Sequence, residues 1–265
     1  MLGQNKVKAR LRAGEIAFGA ELLYPAPDLA EIFGYLAMDF VYLDQEHSAN
    51  DHEQLLHAIR AAEIGGVTPL VRLPESTDGK YGPQALRVLD LGAMGVICPQ
   101  VDNAEVAREI VSAAKYQPLG SRGMFPGGRQ SGYGRRMSVT EYMERANEEV
   151  LVVAMIESGE GVKNLDSILE VPGLDVLLVG GSDLSQSLGC PGRYDDERLL
   201  SAINTVITKA AEAGVGSGVG AFASFAPEAQ ANFLRLGARF VNINSTNLVV
   251  SGVTAWRERL EQFET

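Results

Sequence analysis

Short runs of mostly apolar, β-branched residues recur along the chain: IAFGAEL (16–22), DFVYLD (39–44), TPLVRL (68–73), GVICPQ (95–100), VLVVAMIE (150–157), DVLLVG (175–180), VGSGVGAF (215–222) and FVNINS (240–245). Most are continuously apolar instead of alternating, the pattern of strands covered on both faces in a parallel sheet. Between them lie stretches with apolar positions at helical spacing, at 27–38, 50–65, 83–93, 104–117, 161–171, 195–214 and 227–238, and a C-terminal segment ending VTAWRERLEQF. Several begin at Asn, Asp or Pro and stop at Gly, as capping chemistry prefers. Eight β-then-α units in about 250 residues is the period of a (β/α)8 TIM barrel. The alternative with the same right-handed βαβ connections is a doubly wound open sheet. No linker divides the chain, so 1–265 reads as one barrel domain.

Composition narrows the function. Of 265 residues 46% are hydrophobic, enough for a large core, which excludes a disordered polyanion. With 23 Lys plus Arg against 34 Asp plus Glu, the net charge of −11 argues against a duplex nucleic-acid partner, which needs basic surface. Any anionic ligand must be held by a local site. Cys98 and Cys190 are too few and too far apart for a disulfide framework or a thiolate metal cage, so a reducing cytoplasm fits best. Neither a signal-peptide pattern nor an apolar run of membrane-spanning length is present. One segment breaks the βα rhythm: GSRGMFPGGRQSGYGRR (120–136) holds six Gly and four Arg. It reads either as a solvated surface loop or as a mobile, anion-attracting lid over the barrel mouth.

Active sites of such barrels form at the carboxyl ends of the strands. There the chain carries Asp44, Gln45, Glu46 and His47, then Arg72, Gln100, Glu157, Gly180 to Asp183, and finally Asn242, Asn244 and Ser245. Glu157 and Asp183 end consecutive strands. Two carboxylates that close repel unless a cation sits between them, and hard oxygen donors suit Mg²⁺ or Mn²⁺. Their alternative role is helix capping, since Glu157 precedes SGEGVKNL and Asp183 precedes LSQSLG. His47 follows Asp44 by three residues, and an Asp bonded to one ring nitrogen would make the other a general base. His52 and His57 fall within a helix pattern and read as structural or surface residues. Arg72 can neutralise a carboxylate or an enolate oxygen, or pair with Asp44 or Glu46 in the empty protein. GVGSGVGA (214–221) contains a GxGxxA match inside a strand, where barrel crowding explains small residues better than a dinucleotide does. GGSDLS (180–185) ends a strand and opens a helix, where free amides can take a carboxylate.

The motifs FVYLDQEH (40–47), LVRLP (70–74), LDLGAMGVICPQV (89–101), MIES (155–158) and VGGSDLSQSLG (179–189) resemble, in order and spacing, those of the class II pyruvate aldolases of the HpcH/HpaI family, related to the citrate lyase β subunit. The resemblance covers about residues 15–250. It implies a (β/α)8 barrel and a divalent cation, Mg²⁺ or Mn²⁺ with Co²⁺ also admissible, on Glu157 and Asp183. It further implies a catalytic His47 oriented by Asp44, with Arg72, Gly181, Ser182 and Gln100 at the substrate. The implied reaction makes or breaks 4-hydroxy-2-oxo acids through a pyruvate enolate, with an aldehyde or oxo acid as acceptor and no Schiff base. The superfamily's other activity, condensation or cleavage of a citrate-like or CoA-linked acid, is the alternative. A homo-oligomer, hexamer or dimer, is implied as well. The chain departs from the family pattern at Met155, where a glutamine is common, and at Gly181-Ser182, where Pro-Ala is usual.

Overall fold

The computed structural model describes residues 3–76, 78–220 and 222–263. The apolar runs form β1 (Ala17–Leu22), β2 (Phe40–Asp44), β3 (Thr68–Arg72), β4 (Gly95–Cys98), β5 (Leu151–Ile156), β6 (Val176–Val179), β7 (Gly216–Val219) and β8 (Phe240–Asn244). Each pairs in parallel with the next, and β8 closes on β1, so the sheet is a closed barrel and not an open one. Ala221, in the last expected strand run but one, lies outside the described residues.

Side chains alternate across the barrel wall, as the two-residue period of a strand requires. Phe40, Tyr42, Leu70, Ile97, Val153, Met155, Leu178 and Phe240 form the interior cluster, while Val41, Leu43, Val71, Val96, Ala154, Leu177 and Val179 join the cluster beneath the helices. Burying such a residue contributes about 1.5–3 kcal/mol. Phe40 and Phe240 stack with ring centroids 4.3 Å apart and floor the interior. The small residues of β7 follow from crowding: a Cβ on Gly218 would stand 2.1 Å from the Phe240 carbonyl oxygen.

The expected helices are α2 (Pro27–Tyr35), α3 (His52–Gly65), α4 (Gly82–Asp90), α5 (Ala104–Ala114), α7 (Gly159–Lys163) with α8 (Leu165–Leu169), α10 (Glu197–Glu212), α11 (Pro227–Leu236) and α12 (Ser245–Glu261). The 161–171 pattern thus splits into two short helices that meet at Asn164. The helix expected to open at GGSDLS is α9 (Gly181–Ser187), and two further helices are α1 (Lys6–Arg12) and α6 (Val139–Glu149). In α1, Val7 joins the interior cluster, so this helix plugs the amino end of the barrel. In α12 only Ser245 is buried, and Val249, Val250, Val253 and Trp256 stand about half exposed. Phe18, on the outer face of β1, is also 50% exposed.

The 120–136 segment is not a lid over the mouth. Arg122 is buried, 2.8 Å from Asp90 and 4.7 Å above the Tyr116 ring. Arg129 binds Glu63 and the Leu91 carbonyl. Glu63 and Asp90 sit at the carboxyl ends of α3 and α4, which return to the amino side of the barrel. A guanidinium there meets both a carboxylate and helix-end carbonyls, the polarity it favours. Among the described residues, no helix is long and apolar enough to cross a membrane.

Candidate active site

Asp44 and Arg72 end neighbouring strands in register, so their side chains emerge together at the carboxyl end of the barrel. The buried Asp44 carboxylate accepts from Arg72 Nε at 2.8 Å and Nη2 at 2.9 Å, and from the backbone N–H groups of Glu46 and His47 at 3.0 and 3.1 Å. Burial opposes its charge, but the Arg72 hydrogen bonds and those two amides hold its carboxyl below the usual aspartate value. Burial likewise opposes the Arg72 charge, and Asp44 together with Tyr42 and Glu21 more than offsets it, so the guanidinium stays protonated. Arg72 also lies 3.3 Å from Glu46 and 3.5 Å from Glu21, with its guanidinium 5.3 Å above Tyr42.

Asp44 is not paired with the His47 ring in this arrangement. Its oxygens are spent on Arg72 and on backbone amides, because the chain turns back directly after β2 and brings those N–H groups within reach. Asp44 therefore positions Arg72 and the turn instead of the His47 ring. The ring's nearest acid is Glu46, with Nε2 3.7 Å from the carboxylate, and the imidazole is 63% exposed. His47 does line the cavity.

Glu157 follows β5 and is 4% exposed. One oxygen accepts from the Gln100 N–H at 2.7 Å. Gln100 itself sits at φ 53°, a left-handed conformation that turns its amide toward Glu157. The contact that Gln100 makes here is through this backbone amide. Across the β5–β6 seam a Cβ on Gly180 would stand 2.3 Å from Glu157 Oε2, so only glycine lets the two approach. Neither carboxylate caps a helix: Ser158 caps α7, and α9 starts at Gly180 without a side-chain cap, with Asp183 in its first turn. Burial is the main reason the Glu157 carboxyl rises to about 7, and the charges of Glu46 and Asp183 add to it. Glu46 rises to about 7 as well, through burial and then the charges of Asp44, Asp183 and Glu75, against the pull of Arg72.

A cavity of about 380 Å³ at the barrel mouth is lined by Arg72, His47, Glu157, Gly180, Gly181, Ser182 and Asp183 on one side and by Glu21, Asn242, Asn244 and Asn247 on the other. Ser182 Oγ lies 2.9 Å from the Tyr194 hydroxyl. Among the described residues no set of three or more His, Cys, Asp or Glu is placed to chelate an ion, so an ion here would rest on two carboxylates and fill its other positions from solvent or substrate. Glu157, buried and raised in pKa, and Asp183, in the first turn of α9, are both hard oxygen donors of the kind that suits a divalent cation. Sequence reasoning overlooked Glu21 and Tyr42; the signal available for Glu21 was a charged residue at the inward parity of an otherwise small and apolar strand.

The model of the HpcH/HpaI aldolase/citrate lyase domain matches residues 22–251. The chain belongs to this family. It is 33% identical over 262 residues to the 2-keto-3-deoxy-L-rhamnonate aldolase of Escherichia coli K12, covering 98% of this chain and 94% of that protein. Among solved structures it is similar to an HpcH/HpaI aldolase from Desulfitobacterium hafniense DCB-2, with a TM-score of 0.86, 28% identity and 96% of each chain covered. The citrate synthase SbnG is similar too, with a TM-score of 0.85, 31% identity, and 98% of this chain and 99% of that one covered. The family and fold implied by the motifs are thus found, and aldolases, which are carbon–carbon lyases, stand among the curated relatives.

Proposed function

We propose that this chain is a divalent-metal-dependent aldolase that cleaves or forms 4-hydroxy-2-oxo acids through a pyruvate enolate. The observation that carries the reading is the convergence of Glu157, Asp183 and His47 with the anchored Arg72 around one cavity. Glu157 and Asp183 would hold the ion, with Mg²⁺ or Mn²⁺ preferred and Co²⁺ admissible by donor chemistry. A bound divalent cation supplies Lewis-acid charge to the 2-oxo acid.

The chain's own groups do the rest. Arg72, fixed by Asp44, faces the oxygen that gains charge as the carbon–carbon bond breaks, and its pre-positioning spares reorganisation at that moment. The first-turn amides of α9, at Gly181 and Ser182, have no partner within the helix and receive the pyruvate carboxylate. His47, exposed at the rim, moves the proton of the aldol hydroxyl. Gln100 keeps Glu157 aimed through its amide.

The partners are a small 2-oxo acid and an aldehyde or oxo-acid acceptor, with no nucleic acid and no membrane. The half-exposed apolar face of α12 supports a homo-oligomer, and the free cysteines Cys98 and Cys190 support residence in a reducing cytoplasm. Condensation of a citrate-like acid, the activity named for SbnG, stands second to the aldolase activity named for the curated relatives. The test is to incubate the metal-loaded protein with pyruvate and a panel of aldehydes and oxo acids and to read product masses. A 4-hydroxy-2-oxo acid supports the reading, and a citrate-like product in its place would overturn it.

A further inference from the structure

The wall of the cavity formed by β1 and β8 has no part in the chemistry above, yet it is polar, with Asn242 buried and Glu21 and Asn244 half-buried. Glu21 stands opposite Asn244, and Gly19 opposite Asn242, in the β1–β8 register. Asn242 lines the cavity above the Phe40–Phe240 stack, whose Phe40 ring fills the space that Gly19 leaves open on the inward face of β1. Asn242 is 4% exposed, and its Oδ1 has no hydrogen-bond partner. Native proteins rarely leave such an atom unsatisfied, since desolvating it without a bond is costly. The neighbouring Asn244 Oδ1 is already engaged by the Thr246 and Asn247 amides, which start α12. Glu21 lies at the edge of the Arg72 guanidinium, 3.5 Å away, and that guanidinium is mainly committed to Asp44.

We propose that Asn242 and Glu21 form an acceptor subsite that reads a hydroxyl group on an uncharged aldehyde, an assignment that rests on the aldolase reading of the same cavity. A hydroxyl both donates and accepts, so it satisfies the Asn242 amide whichever way the amide is turned and can still donate to Glu21. The wall offers acceptors and a negative charge where a carboxylated or phosphorylated acceptor would need a cation. Arg122 and Arg129 of the 120–136 segment do not change this, because they are engaged at the other end of the barrel. Asn242 and Glu21 therefore set specificity and take no part in proton transfer or enolate stabilisation.

The experiment compares glyceraldehyde with propanal, aldehydes of equal carbon number that differ in hydroxyls, at saturating pyruvate and Mn²⁺. For Asn242→Leu the kcat/KM preference for glyceraldehyde over propanal falls about tenfold, the size of one buried hydrogen bond. For Glu21→Gln the use of glyoxylate, a charged acceptor, rises relative to glyceraldehyde. Equal losses for glyceraldehyde and propanal in the first variant, or an unchanged preference, would overturn the subsite. Circular dichroism melts report folding; should Asn242→Leu not fold, Asn242→Ser and the Glu21→Gln selectivity carry the same test. If the wild-type protein makes no aldol product, the aldolase reading fails separately. Saturation-transfer NMR with glyceraldehyde then still decides the subsite, a signal lost in the Asn242 variant supporting it and one unchanged contradicting it.

Discussion

Replacing Glu157 by glutamine in the metal-free protein makes the molecule more stable above neutral pH, contrary to the usual effect of changing a buried active-site residue. The Glu157 carboxyl titrates at about 7 in the folded chain against an ordinary 4.5, so between those values the folded state holds a proton that the unfolded state has released. Stability from this group is complete below about pH 4.5, declines by about 1.4 kcal/mol per pH unit, and is gone above about pH 7. Over that window the ceiling is about 3 kcal/mol. The amide that replaces the carboxylate keeps an oxygen for the Gln100 N–H and does not titrate, so that decline disappears. Urea unfolding in EDTA at half-unit steps from pH 5 to 8.5 measures it. The wild type should lose stability along this range, and Glu157→Gln should show a slope shallower by up to about 1.4 kcal/mol per unit. Added Mn²⁺ at 100 times its Kd should return about 2.7 kcal/mol at pH 8 to the wild type alone. Parallel pH profiles for the two proteins would refute the reasoning, because they would mean that Glu157 is not held protonated by burial and by its acidic neighbours.

Other outcomes follow from the same geometry. Gly180→Ala pushes a Cβ into Glu157 Oε2, so metal affinity measured by Mn²⁺ titration should fall at least tenfold while far-ultraviolet circular dichroism is retained. Arg122→Ala, which strands Asp90 and removes a cation packed on Tyr116, should cost about 3 kcal/mol in urea unfolding and leave the KM for any acceptor unchanged. His47→Ala should lower aldol kcat by about 10²–10⁴ with a much smaller effect on pyruvate binding, and an unaltered kcat would reassign this exposed imidazole to the surface.

The barrel was legible because continuous apolar runs such as 150–157 and 175–180 can only be strands wrapped on both sides, and their spacing leaves room for one helix each. The site's composition was legible for a related reason: Arg72, Glu157 and Asp183 follow apolar strands at the one end of the barrel where polar groups need no packing partner. Pairing was not legible. Residue spacing favoured Asp44 for His47, but register set Arg72 directly across from it, and a buried carboxylate takes the guanidinium in preference to an exposed ring. The 120–136 arginines read as free charge because Glu63 and Asp90 are remote in sequence. Helix α6 went unseen because it buries little beyond Tyr142 and Ala146, and α1 because its apolar positions sit among four basic residues. Glu21 was overlooked although its inward parity in an otherwise small and apolar β1 marked the level at which the barrel interior turns polar.

Deuterium exchange into the pyruvate methyl group tests the proposed hold of Glu157 and Asp183 on a divalent ion that activates a 2-oxo acid, without needing to know the acceptor. Protein treated with EDTA and transferred to D₂O should show no exchange above the buffer rate by NMR. Mn²⁺ or Mg²⁺ should restore exchange to the wild type but not to Glu157→Gln or Asp183→Asn. Exchange that persists after exhaustive chelation, or that survives in both variants, would contradict the account.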